Sequence, residues 1–146
     1  MPNAPYMLVN GCYLIALAVW VGGMAAFALL FAPALTATLG HGGAGPVVSA
    51  FLVRFRVAVG VCILVLLAAS AVKYLLWETL TGWLLARWTV LAAMTGLAAY
   101  DFQVLAPRLA AAQAAGDAAA FDRLHVTAAR TMGATLALGL AALGLS

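Results

Sequence analysis

The chain has 146 residues, of which 67% are hydrophobic and 8% charged, and its mean hydropathy is +1.13. An ordinary soluble domain carries about a quarter charged residues, and a small fold cannot hide this much apolar side chain from water, so a soluble 15.0 kDa domain is set aside. The net charge of +3 comes from basic residues at the ends of apolar runs; without a basic stripe interleaved with aromatics, it argues against nucleic-acid binding.

A membrane-spanning helix needs roughly 20 mostly apolar residues. The first candidate covers about residues 6–39 and contains no charged side chain. Residues Met1 to Tyr6 offer no basic leader region or clear cleavage site, so this run reads as a retained span. Pro33 is expected to end or kink it. Gly40 to Pro46, with His41 as a solvated loop residue, then carry a turn signal.

The second span covers about residues 47–77, with Arg54 and Arg56 early and Lys73 late. A short connection, Glu78 to Gly82, leads to a third span at about 83–105, entered past Arg87 and left past Asp101 and Pro107. Residues Arg108 to Asp117 read as an Ala-rich helical extension outside the bilayer. A fourth span follows at about 118–145. Uninterrupted runs without two-residue alternation exclude a barrel, leaving helices as the way to satisfy the backbone in hydrocarbon. The expected class is therefore all-α: a polytopic, antiparallel four-transmembrane-helix bundle forming a single domain over residues 1–146.

An even number of spans puts both termini on one side. The loop side then collects Arg54, Arg56, Arg108, Arg123 and Arg130, against Lys73 and Arg87 on the terminal side. Five cations against two favour a cytoplasmic loop side, with both termini periplasmic or extracellular in a cell inner (plasma) membrane protein. Small residues suited to close helix contact occur at Gly22, Gly23, Gly60, Gly96 and in the series Gly133, Ala137, Ala141. They serve either internal packing or contact with other chains. Trp77, Trp83 and Trp88 lie near span ends, as interfacial rings do, whereas Trp20 is mid-span and expected to pack.

Ionisable groups within spans are costly and invite a functional reading. Arg54, Arg56, Asp101, His125 and Arg130 all enter from the loop side, at depths of about 9–18 Å on a rise of 1.5 Å per residue. Together they form a candidate polar seam across the cytoplasmic half. Snorkelling Arg side chains and an Asp–Arg pair would explain the same residues structurally. Arg residues left over after pairing with Asp101 would suit a small anion, a lipid headgroup or a carboxylate.

His125 is the one candidate for an axial haem ligand or a metal ligand. Cys62, Met24, Met94 and Met132 offer soft donors of the kind that select copper(I), but without a clustered spacing, so packing is their simpler role. Haem at His125 and copper at the soft donors are the cofactors these residue types would serve. No Ser-His-Asp set, paired-carboxylate site or phosphate-binding glycine loop is present in the sequence, and catalytic residues are expected to be absent.

Several segments resemble the small membrane family of transmembrane protein 205 and its bacterial relatives. They are Trp20-Val21-Gly22-Gly23, Ala32-Pro33-Ala34-Leu35, Phe51-Leu52-Val53-Arg54-Phe55, Ala106-Pro107 and Phe121-Asp122-Arg123-Leu124-His125. The chain departs from that pattern at Ala128 and Met132, where relatives often carry Ser and Asn. The resemblance implies a four-helix membrane domain without an established enzyme activity, and a fold similar to the CopD-type copper-resistance domain. It extends distantly to small haem-binding protoporphyrinogen oxidases, whose first-helix His this chain lacks. The expectation is a non-enzymatic transport or resistance component, or an accessory subunit of a larger membrane complex, in contact with lipid and either homo-oligomeric or bound to other subunits. A haem- or metal-binding redox protein using His125 is the alternative.

Overall fold

Hydrocarbon offers no hydrogen-bond partner to a backbone amide, so each apolar run must close its own bonds. In the computed structural model, which describes residues 4–146 and only the backbone at 41–43, the four runs do so as helices. They are α1 (Ala4–Gly40), α2 (Ala44–Leu76), α3 (Gly82–Ala114) and α4 (Ala118–Gly144), each long and apolar enough to cross a membrane. No strand occurs among the described residues. The protein is all-α and polytopic, as its composition requires.

The boundaries differ from the sequence estimate in instructive places. Pro33 and Pro107 end nothing. Each follows a π-helical turn, Phe27–Phe31 in α1 and Asp101–Leu105 in α3, and the helix continues beyond it. Proline lacks an N–H and crowds the carbonyl four residues back; a widened preceding turn accommodates that mismatch without breaking the rod. The third helix therefore runs to Ala114, absorbing most of the Ala-rich extension. The glycine-rich turn is also tighter than expected. Only Gly40 leaves helical geometry, at φ 69° and ψ 171°, in a region that suits glycine. The side chain of His41 lies outside the described residues. At the other loop, Gly116 turns the chain at φ 68°, and the Asp117 carboxylate accepts from the Ala120 amide at 2.9 Å, capping α4.

Two compact units result, Met1–Thr81 and Gly82–Ser146. In the first, Tyr6 meets Trp77 edge to face at 5.5 Å, Asn10 meets Lys73, and Phe27 stacks on Phe51 at 5.0 Å. Contacts that run forward along α1 and backward along α2 define an antiparallel hairpin. Tyr13, Leu17, Trp20 and Leu66 are its best-buried apolar side chains, so Trp20 packs as expected. In the second unit the Trp83 indole donates to the Leu145 carbonyl at 3.1 Å, tying the start of α3 to the end of α4. Leu91, Met94 and Leu105 are buried on α3, and Thr135, Gly139 and Ala142 on α4. The series Gly133, Ala137, Ala141 faces outward instead.

The two hairpins repeat one pattern. A shift of 74 residues carries Leu17, Trp20 and Met24 onto Leu91, Met94 and Ala98, all six buried. The same shift carries Ala18 and Gly22 onto Ala92 and Gly96, all exposed, and one π turn and its Ala-Pro onto the other.

Gly23 shows how closely the first hairpin is fitted. A Cβ added there would stand 2.6 Å from Cε2 of Phe55, whereas one added at Gly60 meets nothing within 4 Å. Gly23→Val should therefore destabilise the protein by about 1–3 kcal/mol through overpacking. Thermal unfolding in detergent should show a clear loss for Gly23→Val and little change for Gly60→Ala.

Candidate functional site

Helical spacing puts Tyr6, Asn10 and Tyr13 on one face of α1, and Ser70, Lys73 and Trp77 on one face of α2. Antiparallel packing joins those faces near the chain's terminal end. The Lys73 ammonium donates to Asn10 Oδ1 at 2.7 Å, stands 3.5 Å from Glu78 Oε1, and lies 5.5 and 5.1 Å from the Tyr6 and Tyr13 ring centres. Only 1% of Lys73 is exposed. A buried ammonium is tolerable when a carboxylate, an amide oxygen and aromatic faces replace its water. One turn deeper, the Ser70 hydroxyl is fully buried and makes no hydrogen bond. Chemically this is a cross-brace that holds a cation between two spans.

From the sequence alone Lys73 looks like a flanking charge, and its 63-residue separation from Asn10 hides this cluster. The signal was present, because Asn10 is a polar interruption in the first half of a charge-free helix and shares a face with two tyrosines. Arg87, the other terminal-side cation, is also interior, at 4% exposure.

The predicted seam residues divide between the hairpins. Arg54 and Arg56 belong to the first, where Arg54 is exposed and Arg56 half-buried. Asp101, His125 and Arg130 belong to the second. Asp101 is half-buried and opens the π turn of α3; like Arg56, it is engaged with other groups. His125 is exposed, with its ring stacked at 6.0 Å on Phe121. Arg130 lines an open hollow of about 430 Å³ together with Asp122, Arg123, Val126 and Thr127.

On α4, the hydroxyls of Thr127, Thr131 and Thr135 each donate to the carbonyl four residues back, at 2.9–3.0 Å. Their protons are thereby used within the helix, and the arginines supply the donors of this face. In the first hairpin a second open hollow, about 380 Å³, is lined by apolar residues such as Phe27, Leu30, Phe31 and Phe51. Of the soft donors, Met24 and Cys62 are buried in the first hairpin; in the second, Met94 is buried and Met132 half-buried. Among the described residues no three His, Cys, Asp or Glu side chains gather as a metal set.

These features define a multi-pass α-helical membrane protein with polarity at a buried cross-brace and on loop-side helix surfaces. Residues 15–118 match the family described as Domain of unknown function (DUF4149), and the chain belongs to that family. No curated protein and no solved structure matches it.

The cross-brace predicts a specific double-substitution result. Asn10→Leu alone should cost about 1–3 kcal/mol by stripping a partner from a buried ammonium, and Lys73→Met alone should also destabilise. Combining them should cost less than the sum of the two, because an apolar pair replaces a polar one. Unfolding midpoints of the three variants in one detergent check this.

Proposed function

We propose that the protein is a non-enzymatic component of the cell inner (plasma) membrane, acting as an accessory subunit of a larger complex or as a small transport or resistance component. Its partners are a second copy of the chain or another membrane subunit. One observation carries this reading. Ala18, Gly22 and Ala26 lie exposed at four-residue spacing on α1, and the pair Ala92 and Gly96 repeats the arrangement on α3. Helices in lipid associate through such small residues, because close backbone approach provides the contact that apolar burial cannot. The resemblance to the transmembrane protein 205 family supports the transport or resistance side of the reading.

The orientation has both termini outside. Lys73 and Arg87, the two cations of the terminal side, are buried. Arg54, Arg108, Arg123 and Arg130 are exposed, so the charges available to headgroups belong to the loop side, and positive charge marks the cytoplasmic face. In this reading Arg54, Arg56, Asp101, His125 and Arg130 are the cytoplasmic-half residues that hold a lipid headgroup, a small anion or a partner.

Gly22 allows assembly to be tested apart from folding, since a Cβ there meets no atom of the chain within 4 Å. Gly22→Leu should leave the unfolding midpoint near that of the parent while lowering the oligomeric mass. Native mass spectrometry in mild detergent reads both stoichiometry and bound molecules. An unchanged complex in Gly22→Leu would remove the association face.

A further inference from the structure

We infer that the outward face of α4 is a binding site for the phosphate headgroup of an anionic phospholipid, held between Arg123 and Arg130. The inference rests on the proposed role of the loop-side cations as a binding seam and names the ligand of its α4 portion.

Trp83, exposed and bonded to the Leu145 carbonyl, marks the terminal-side interface of the second hairpin. Arg130 lies 15 residues before Leu145, or about 22 Å along the helix, while the hydrocarbon layer is about 30 Å thick. Its Cα is therefore still within the apolar layer, about 8 Å short of the far interface on the same measures. Arg123, two turns further on, reaches the headgroups.

Arg130 is exposed and has no hydrogen bond or ion pair among the described residues. An uncompensated guanidinium facing lipid is expensive. Its nearest relief is to extend outward, along the hollow it shares with Arg123, toward the phosphate layer. Arg123 uses only its Nε, donating to the Ala119 carbonyl at 3.2 Å, and keeps its remaining N–H groups for a ligand. Thr127, between them, has already given its proton to the Arg123 carbonyl. The donors of the hollow are thus two guanidinia, which suit phosphate oxygens. Asp122 also lines it and lies at the aqueous edge, eight residues out from Arg130.

Continuity selects a lipid over a soluble anion. At 100° per residue, Gly133, Ala137 and Ala141 follow Arg130 down the same face of α4, and all three are exposed. They leave a shallow track running from the cationic hollow toward the bilayer centre, where the acyl chain of a lipid held at Arg130 must go.

The experiment uses the full chain in vesicles of equal phosphatidylglycerol and phosphatidylcholine, extracted gently and weighed by native mass spectrometry. The parent should retain phosphatidylglycerol over phosphatidylcholine. Arg130→Gln and Arg123→Gln should each lower that retention at least fivefold, and Arg108→Gln, outside the hollow, should not. Equal retention of both lipids, or no loss in either variant, overturns the inference. So does displacement of the lipid by millimolar inorganic phosphate, which would indicate a site for a soluble anion. Loss of an acidic membrane partner in Arg130→Gln without any lipid preference overturns it in favour of protein docking. If Arg130→Gln is silent while Arg54→Gln or Asp101→Ala still disrupts a complex, the seam survives and the lipid site falls. If all are silent, both fall.

Discussion

The structure depends on one constraint: a polar group within the hydrocarbon is costly unless it finds a partner inside the protein or reaches the interface, and for the backbone the partner is obligatory. For the backbone this means helices unbroken across the layer, and both long helices continue past a proline near its far edge. A π turn ahead of Pro33 and another ahead of Pro107 keep the rod continuous. α1 then runs for 37 residues, about 55 Å at 1.5 Å per residue, well beyond a hydrocarbon thickness of about 30 Å. The π turn of α1 begins 21 residues after Tyr6, and that of α3 begins 18 residues after Trp83. Each lies about one hydrocarbon thickness along its own helix from an aromatic anchor.

The same constraint sorts the polar side chains. Threonines on α4 return their protons to the helix that carries them. Lys73 instead recruits Asn10, Glu78 and two tyrosine faces. Arg130, on its outward face, has neither, and its relief is to extend toward the interface. A buried cation with partners and an exposed one without them call for opposite readings. The first ties two helices of a hairpin together, and the second is left facing outward.

Much of the fold was legible in the sequence because hydropathy and length act over about 20 residues at a time. Four spans, their helical nature and the packing of mid-span Trp20 follow from that scale. The failures are local. Pro33 and Pro107 carry a helix-breaking signal whose outcome depends on the turn before them, and sequence does not display that turn. Lys73 looked like a flanking charge because its partner Asn10 is 63 residues away; only antiparallel pairing brings them together. The outward placement of Gly133, Ala137 and Ala141 was equally hidden, since a four-residue spacing defines a face without saying what covers it. Arg54, Arg56, Asp101, His125 and Arg130 were recognisable as unusual from cost alone, but cost names no ligand.

The repeat shows where this chain is free to differ from itself. At a displacement of 74 residues the shared features are those that packing and backbone bonding demand: buried apolar positions, an outward Ala-x-x-x-Gly, a π turn and its proline. The differences are chemical. Tyr13 corresponds to Arg87, and Phe27 to Asp101. In the first hairpin Phe27 stacks on Phe51, and that aromatic closure continues through Phe31 and Phe55. In the second, an acid opens the same turn, and α4 brings exposed arginines and a histidine. A carboxylate cannot replace a stacked ring as packing, so its place in the repeat calls for a polar counterpart. One hairpin is closed by aromatic contact, while its repeat carries charge at the corresponding turn. The ionisable chemistry that distinguishes the two hairpins is therefore gathered at the loop-side half of the second.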